Sequence, residues 1–510
     1  MAITPGGSLN STPAPIQQTL SSNYLDLNGS GGWAQQYVPD LMEKEAEVFG
    51  QRTISGFLSQ VGAEESMTAD QVIWSEQGRL HLSYLCDIDG GGDNTPTLTI
   101  QSDIDGNNYG ETGITVTHGV RVNDTVIISN ANGVYKGIVT GVADGDGPTG
   151  SGADVTVATY DGSTVATLAT NKGTTIMVYG SEFAKGVGYN AKGGTHSDSR
   201  TANEPSFKTF SNKPIIMKDY YEVSGSDASR IGWVEIASEE GQSGYLWYLK
   251  AEADTRARFN DHLEMAMLEA EIGSDNAHTL GAGGAGASME VDTALGLATG
   301  ANTGTEGLFA AITDRGNLTS GVTGVNAATD LAEFDAILAE FDKQGAIEEN
   351  MLFVNRATSL AIDDMLASMN SYGAGGTSYG VFENDEDMAL NLGFSGFRRG
   401  SYDFYKSDFR YLNDMATRGG VNATAGANAI RGVIIPAGTS TVYDQQLGKN
   451  LKRPFLHVRY RASQTDNRKM KTWTTGSVGA ATSALDAMQI HMLSERCLVV
   501  QGANNFMLMK

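Results

Sequence analysis

The chain has 510 residues, 40% of them hydrophobic and 19% charged, and it carries a net charge of −25. Its length is too great for one small core and fits roughly two to four domains, and its composition excludes a chain disordered throughout. The negative charge opposes long-range attraction to nucleic acid or to an anionic membrane and favours solubility.

Glycine is abundant, at 63 residues, and proline scarce, at 10. Many turns are therefore expected, few of them stiff. The two cysteines, Cys86 and Cys497, read as inert thiols of a reducing compartment. The opening Met1 to Ser8 has neither the basic nor the apolar region of a secretory signal. No apolar run approaches the ~20 residues that span a bilayer. The expectation is a soluble protein made in a cytoplasm.

Residues 1 to 40 are rich in Gly, Ser, Thr, Pro, Asn and Gln, with dispersed anchors at Ile16, Leu20, Tyr24, Leu25, Leu27 and Trp33. Alone, such a segment cannot bury enough surface to offset its ordering entropy. It reads as an arm that orders on a partner. A short helix is expected from Pro39 to Phe49, followed by an apolar run at Val72-Ile73-Trp74. Arg79 to Tyr84 alternates polar and apolar, as a half-buried strand does. A matching extended segment lies at Pro205 to Met217, so the two read as a protruding hairpin with an elaborated tip.

Residues 115–190 hold short β-branched runs such as Val126-Ile127-Ile128 and Ile176-Met177-Val178-Tyr179. Turn signals at Asn132-Gly133, Asp144-Gly145-Asp146-Gly147 and Asp161-Gly162 separate them. This pattern predicts a separate small barrel or sandwich with acidic tips.

From Tyr245 to Ile272 the period becomes helical. Leu246, Leu249, Ala253 and Ala257 form a stripe continued by Phe259, Leu263 and Met267, and Gly273 stops it. Glu252–Arg256 and Asp254–Arg258 are favourable i,i+4 pairs. A glycine-rich stretch follows, Gly273 to Gly300. Asp330 and Glu333 then read as a capping-box start for a helix carrying Leu331, Phe334, Leu338 and Phe341. A strand at Met351–Val354 and a helix at Ala357–Met369 come next. Further strands are expected at Tyr402–Lys406, Gly432–Ile435, Phe455–Tyr460, Cys497–Val500 and Phe506–Met509.

Motifs with chemical meaning fail on context. Gly281 to Gly286 fits G-x-G-x-x-G, but no strand precedes it and no helix follows. Gly376-Thr377-Ser378-Tyr379-Gly380 fits G-x-S-x-G, but the glycines upstream cannot form a core strand. Asp87-Ile88-Asp89 and Asp103-Ile104-Asp105 resemble calcium loops, yet the twelfth positions are Leu98 and Ile114. Asp144-Gly145-Asp146 is likewise short of ligands. The histidines are scattered and no C-x-x-C occurs. The cationic residues Arg398, Arg399, Arg453, Arg459 and Arg461 suit carboxylates of a neighbouring subunit better than phosphate. No catalytic, metal or cofactor residue and no cofactor is expected, and the chain reads as a non-enzyme.

The order of parts resembles the tailed-phage major capsid proteins of the Hong Kong 97 fold. The resemblance rests on three segments: Ser224 to Trp233, Tyr248 to Arg256, and Arg496 to Phe506. These look like capsid proteins of crAss-like podoviruses. The resemblance implies an α+β fold with an N-arm at 1–65 and an extended E-loop at 66–114 and 191–222. It also implies a P-domain at 223–300 and 451–510 with its spine helix at 245–272, and an A-domain at 301–450. Residues 115–190 are an insertion beyond the minimal fold. The implied partners are copies of the chain, as hexamers and pentamers of an icosahedral shell enclosing double-stranded DNA without sequence-specific binding. A portal, a separate scaffolding protein and possible decoration or auxiliary proteins complete the set, with no membrane. The implied location is the virion, after synthesis in the bacterial host. The rival reading is an acidic, β-rich surface-layer or adhesin protein.

Overall fold

The computed structural model describes residues 57–58, 63–77, 81–89, 95–104, 118–143, 154–165, 168, 173–186, 207–226, 246–272, 304–344, 347–369, 396–422, 429–437, 439–444, 449–477 and 482–510. These form a mixed α+β, sheet-rich chain in two units, one of residues 73–210 and one of residues 1–72 with 211–510. The expected arm, the short helix at Pro39–Phe49, and both glycine motifs at 281–286 and 376–380 lie outside the described residues. No helix among those described is long and apolar enough to cross a membrane.

After β1 (Ala63–Met67), which belongs to the larger unit, the chain enters the smaller one with β2 (Val72–Gln77). Six strands follow: β3 (Ser83–Asp89), β4 (Thr97–Asp103), β5 (Asp124–Asn130), β6 (Gly133–Ala143), β7 (Asp154–Thr159) and β8 (Thr174–Ser181). They close into an antiparallel barrel in the order β3-β4-β7-β6-β5-β8. Alternation explains it. Cys86, Leu98, Val126, Ile128, Val139, Val155, Val157 and Ile176 point inward and are fully buried, so the barrel interior is a packed core. Bulges at Leu85/Cys86, Thr125/Val126 and Val139/Gly141 supply the local bending that closure needs. Gly137 has a packing reason. A Cβ there would meet the Ala158 carbonyl oxygen at 2.6 Å.

β9 (Phe207–Asn212) pairs with β2 in a two-stranded ribbon, with Trp74 and Phe210 6.2 Å apart. The sequence reading differs in two respects. It matches Arg79–Tyr84 with the downstream segment, whereas Val72–Gln77 takes that place. It also leaves β3 and β4 in the hairpin, whereas both are barrel staves. Asp87 disguises β3, because it sits on an outward position between buried Cys86 and Ile88.

The larger unit continues with β10 (Ile215–Ser224) and helix α1 (Leu246–Glu269). Next come α2 (Leu308–Arg315), β11 (Asn317–Thr319), α3 (Ala327–Gln344), β12 (Glu349–Val354) and α4 (Arg356–Met369). β13 (Gly396–Arg399), β14 (Tyr402–Asp408), α5 (Arg418–Asn422), β15 (Gly432–Pro436), β16 (Thr439–Asp444) and β17 (Lys449–Pro454) follow. The chain ends on β18 (Leu456–Arg461), β19 (Lys471–Gly476), β20 (Ala487–Val500) and β21 (Met507–Met509).

Two sheets organise this unit. One runs β11-β21-β15-β12-β14-β13. Phe334, Phe341, Ile362 and Leu366 of α3 and α4 pack on one face against Leu352, Phe404 and Ile434. Phe57, Leu308, Ile312 and Phe409 pack on the other against Phe353, Val433 and Leu508. β15 is buried along its whole length, and its unbroken Gly-Val-Ile-Ile-Pro follows from having two covered faces.

The second sheet centres on β20. β10 pairs along one flank and β18 and β19 share the other, with β1 parallel outside β18. α1 lies on one face through Phe259 and Leu263 against Met492, Met217 and Met470. The expected stripe holds from Phe259 to Met267, but Ala253 is exposed and Thr255 is buried in its stead, its hydroxyl donating to the Ala251 carbonyl at 2.8 Å. Of the two expected ion pairs, Arg256 meets Glu252 at 3.1 Å, while Arg258 reaches Asp219 of β10 at 3.8 Å.

The start of α3 also corrects the sequence reading. Asn326, not Asp330, caps it, accepting from the Thr329 amide at 3.0 Å. Asp330 accepts from the Gly324 amide at 2.9 Å, and Glu333 accepts from the Thr323 amide at 2.8 Å. Both carboxylates tie down the incoming loop.

Candidate interaction surfaces

Four of the five cationic residues singled out in the sequence have carboxylate partners within the chain. Arg399 forks onto Asp335 at 2.5 and 2.7 Å, a bidentate pair that holds β13 to α3 and keeps the guanidinium charged. Arg398 lies 3.5 Å from Asp403. Arg459 meets Glu65 at 2.8 Å. Arg461 meets Glu495 at 2.9 Å and also pairs with Asp70. No side-chain description covers Arg453. For these four the carboxylate partners come from the same chain.

Beside them lies a charged layer that the sequence reading missed. Glu495 is 4% exposed and takes Arg461 and Arg468, the latter at 2.8 Å. Arg496, next in β20, is 8% exposed and donates to Ser494 Oγ and the Lys469 carbonyl, both at 2.9 Å. Burial pulls the Arg496 guanidinium down, and Glu64 and Glu264 oppose that pull. Glu264 of α1 accepts from the Leu58 amide at 3.2 Å. Buried charges survive only when paired and hydrogen-bonded in this way. Ser494-Glu495-Arg496 gave no sequence signal, because their partners are distant in the chain.

Both cysteines are buried. Burial, helped by Asp87, pushes the Cys86 thiol up to about 12, and its Sγ lies 3.4 Å from the Thr174 carbonyl. Burial also pushes Cys497 up to about 12 against the opposing charge of Arg459. A thiol held neutral is a poor nucleophile. Among the described residues no group of three or more His, Cys, Asp or Glu is placed to hold a metal ion.

What the surface does offer is exposed apolar area. On the larger unit Ile216, Tyr220, Leu318, Val325, Leu360, Tyr405, Met415 and Val421 are each about half exposed or more. On the barrel the same holds for Val134, Tyr160 and Tyr179. Exposed tyrosines among aliphatic side chains suit a contact region.

No protein-family model and no curated protein matches the chain. Several solved structures are similar to it in arrangement. One is of Microbacterium phage Oxtober96, at 8% identity over 94% of this chain and 95% of that one, with a TM-score of 0.34. A second is the asymmetric unit of the bacteriophage PhiM1 mature capsid, at 8% identity over 62% and 77%, with a TM-score of 0.31. A third is a capsid structure of the cyanophage P-SCSP1u, at 9% identity over 64% and 80%, with a TM-score of 0.31.

Proposed function

We propose that the chain is a major capsid protein of a tailed phage, of the Hong Kong 97 fold, with no catalytic role. The observation that carries the reading is the seating of α1 on the sheet of β1, β18, β20 and β10. Segments far apart in sequence, including two of the three that carry the resemblance, meet in this one body. In the proposal α1 is the spine, the sheet beneath it belongs to the P-domain, and the sheet carrying α3 and α4 is the A-domain. The β2–β9 ribbon stands at the root of the E-loop, and the barrel is an addition to it. The exposed apolar side chains supply the many modest contacts that a closed shell requires. The subunits form hexamers and pentamers around double-stranded DNA, with a portal and a separate scaffold, and the residence of the protein is the virion.

The test is assembly. The purified chain is concentrated alone and with the proposed scaffolding protein, then followed by sedimentation and negative-stain microscopy. Closed icosahedral particles are the expected result. A chain that stays monomeric at every concentration, with and without the scaffold, overturns the proposal.

A further inference from the structure

One face of the β20 sheet is covered by α1; the other carries a row of three stacked rings. Register places Tyr220, His491 and Trp473 side by side on β10, β20 and β19. The Tyr220 and His491 rings are 6.0 Å apart at 30°, and the His491 and Trp473 rings 5.1 Å apart at 18°. Thr475 Oγ1 lies 2.6 Å from His491 Nε2 and fixes the central ring. β10 and β19 flank β20, so each terminal ring has one π face that His491 does not cover. Tyr220 is 56% and Trp473 37% exposed.

The next register row holds Lys218, Leu493 and Lys471. A cleft of about 420 Å³ opens beside Trp473, lined by Asp466, Arg468, Lys471, Trp473 and Leu493. Lys471 pairs with Asp466 at 2.8 Å, and Arg468 with Glu495 at 2.8 Å. Around the ring row the cations Lys218, Arg461, Arg468 and Lys471 stand against an equal number of carboxylates, Asp70, Glu222, Asp466 and Glu495. That balance departs from the −25 of the chain as a whole.

We infer that this cleft binds a nucleoside-phosphate unit of a single-stranded nucleic acid. A base stacked on the face of Trp473 turned away from His491 extends the row by one ring, and its phosphate meets Lys471 and Arg468. Stacking platforms beside cations are how single strands are held without sequence preference. A basic peptide suits the rings but meets like charge from the cations; an acidic peptide suits the cations and leaves the ring face unused. A nucleotide uses both. The inference rests on this sheet face and not on the shell reading, so particles that assemble normally yet ignore a single strand refute it and leave that reading intact.

The experiment uses the full chain and a labelled oligothymidylate, read by fluorescence anisotropy at low salt. Saturable binding is expected, weakened about tenfold by Trp473→Ala and largely kept by Trp473→Phe. Lys471→Ala should flatten the salt dependence by about 0.7 in log–log slope. Unchanged melting of each variant certifies the fold. No binding, equal binding of a matched duplex, equal affinity for thymidine monophosphate, or indifference to Trp473→Ala overturns the inference. So does a Trp473→Ala variant that loses only self-association, which would assign the face to a second copy.

Discussion

Asn212, at the end of β9, donates its side-chain amide to the Leu498 carbonyl at 2.6 Å, across 286 residues of chain. The same amide donates to the Glu306 carbonyl at 3.0 Å. Its oxygen accepts from the Glu306 amide at 2.9 Å and the Thr305 hydroxyl at 3.1 Å. Asn212 is 1% exposed. One side chain thus joins the strand entering β10, the approach to α2 and the central strand β20.

Removing it leaves several buried partners unsatisfied, each at a cost of about 1–3 kcal/mol. Asn212→Ala should lower the urea midpoint by several tenths of a molar or more. Asn212→Asp should be no better, since a carboxylate accepts but cannot donate to the two carbonyls. Midpoints within error of the parent for both variants would show that water replaces the side chain and that the junction is held elsewhere.

Helix α1 yields a second prediction. Phe259 and Leu263 are each 2% exposed beneath it. Phe259→Ala should cost about 3–5 kcal/mol through the cavity it leaves. Leu249→Pro, one turn into the helix, removes a backbone bond and clashes with the preceding turn, at about 3 kcal/mol or more. The expected outcome is loss of soluble, cooperatively melting protein for the proline variant and a much lowered melting temperature for the alanine one. Normal melting of Leu249→Pro would mean that the helix is dispensable.

The thiols give a prediction with a sign. Their ordinary value is 9.0, and burial raises both to about 12. The folded state therefore prefers the neutral form. That preference contributes fully below pH 9 and is lost as the pH climbs towards 12. Unfolding free energy should fall across this window, and less steeply in Cys86→Ala with Cys497→Ala. A colorimetric thiol reagent at pH 8 should modify neither cysteine in the native chain and both in denaturant. Rapid native reaction would contradict the burial.

How much of this was legible in the sequence varies with where the partners lie. The period of α1 from Phe259 to Met267 and the apolar run of β15 depend on one covered face or two, and both show in the residues themselves. β20 did not show. The sequence reading found only Cys497–Val500, because Ser494, Glu495 and Arg496 break any apolar pattern. They are tolerated because Arg461, Arg468 and Lys469 arrive from a separate segment to satisfy them. The row Tyr220–His491–Trp473 was invisible for the same reason, since register across three strands creates it. The start of α3 was misread because Asp330 and Glu333 stand at capping-box spacing but bond backward to Thr323 and Gly324.

The barrel gives the last prediction, and it follows from the strand order rather than from composition. Sequence composition marked 115–190 as a module. The barrel, however, closes only through β3 and β4, which lie before that segment and pair with β8 and β7. Without them the remaining four strands have two open edges. Leu98 and Ile100, buried at 0% and 2%, would be missing from the core. An open sheet of that size with a half-filled core is a poor folder and an aggregation hazard. Residues 73–210 expressed alone should therefore give a β-type circular dichroism spectrum with a cooperative melt, while residues 115–190 alone should be unfolded or insoluble. The Ile128→Ala variant of the longer piece, deleting a fully buried side chain, should lower its stability by about 2–5 kcal/mol. Should the shorter piece melt cooperatively and the longer one gain nothing over it, β3 and β4 would be appendages and the barrel a sandwich of four strands.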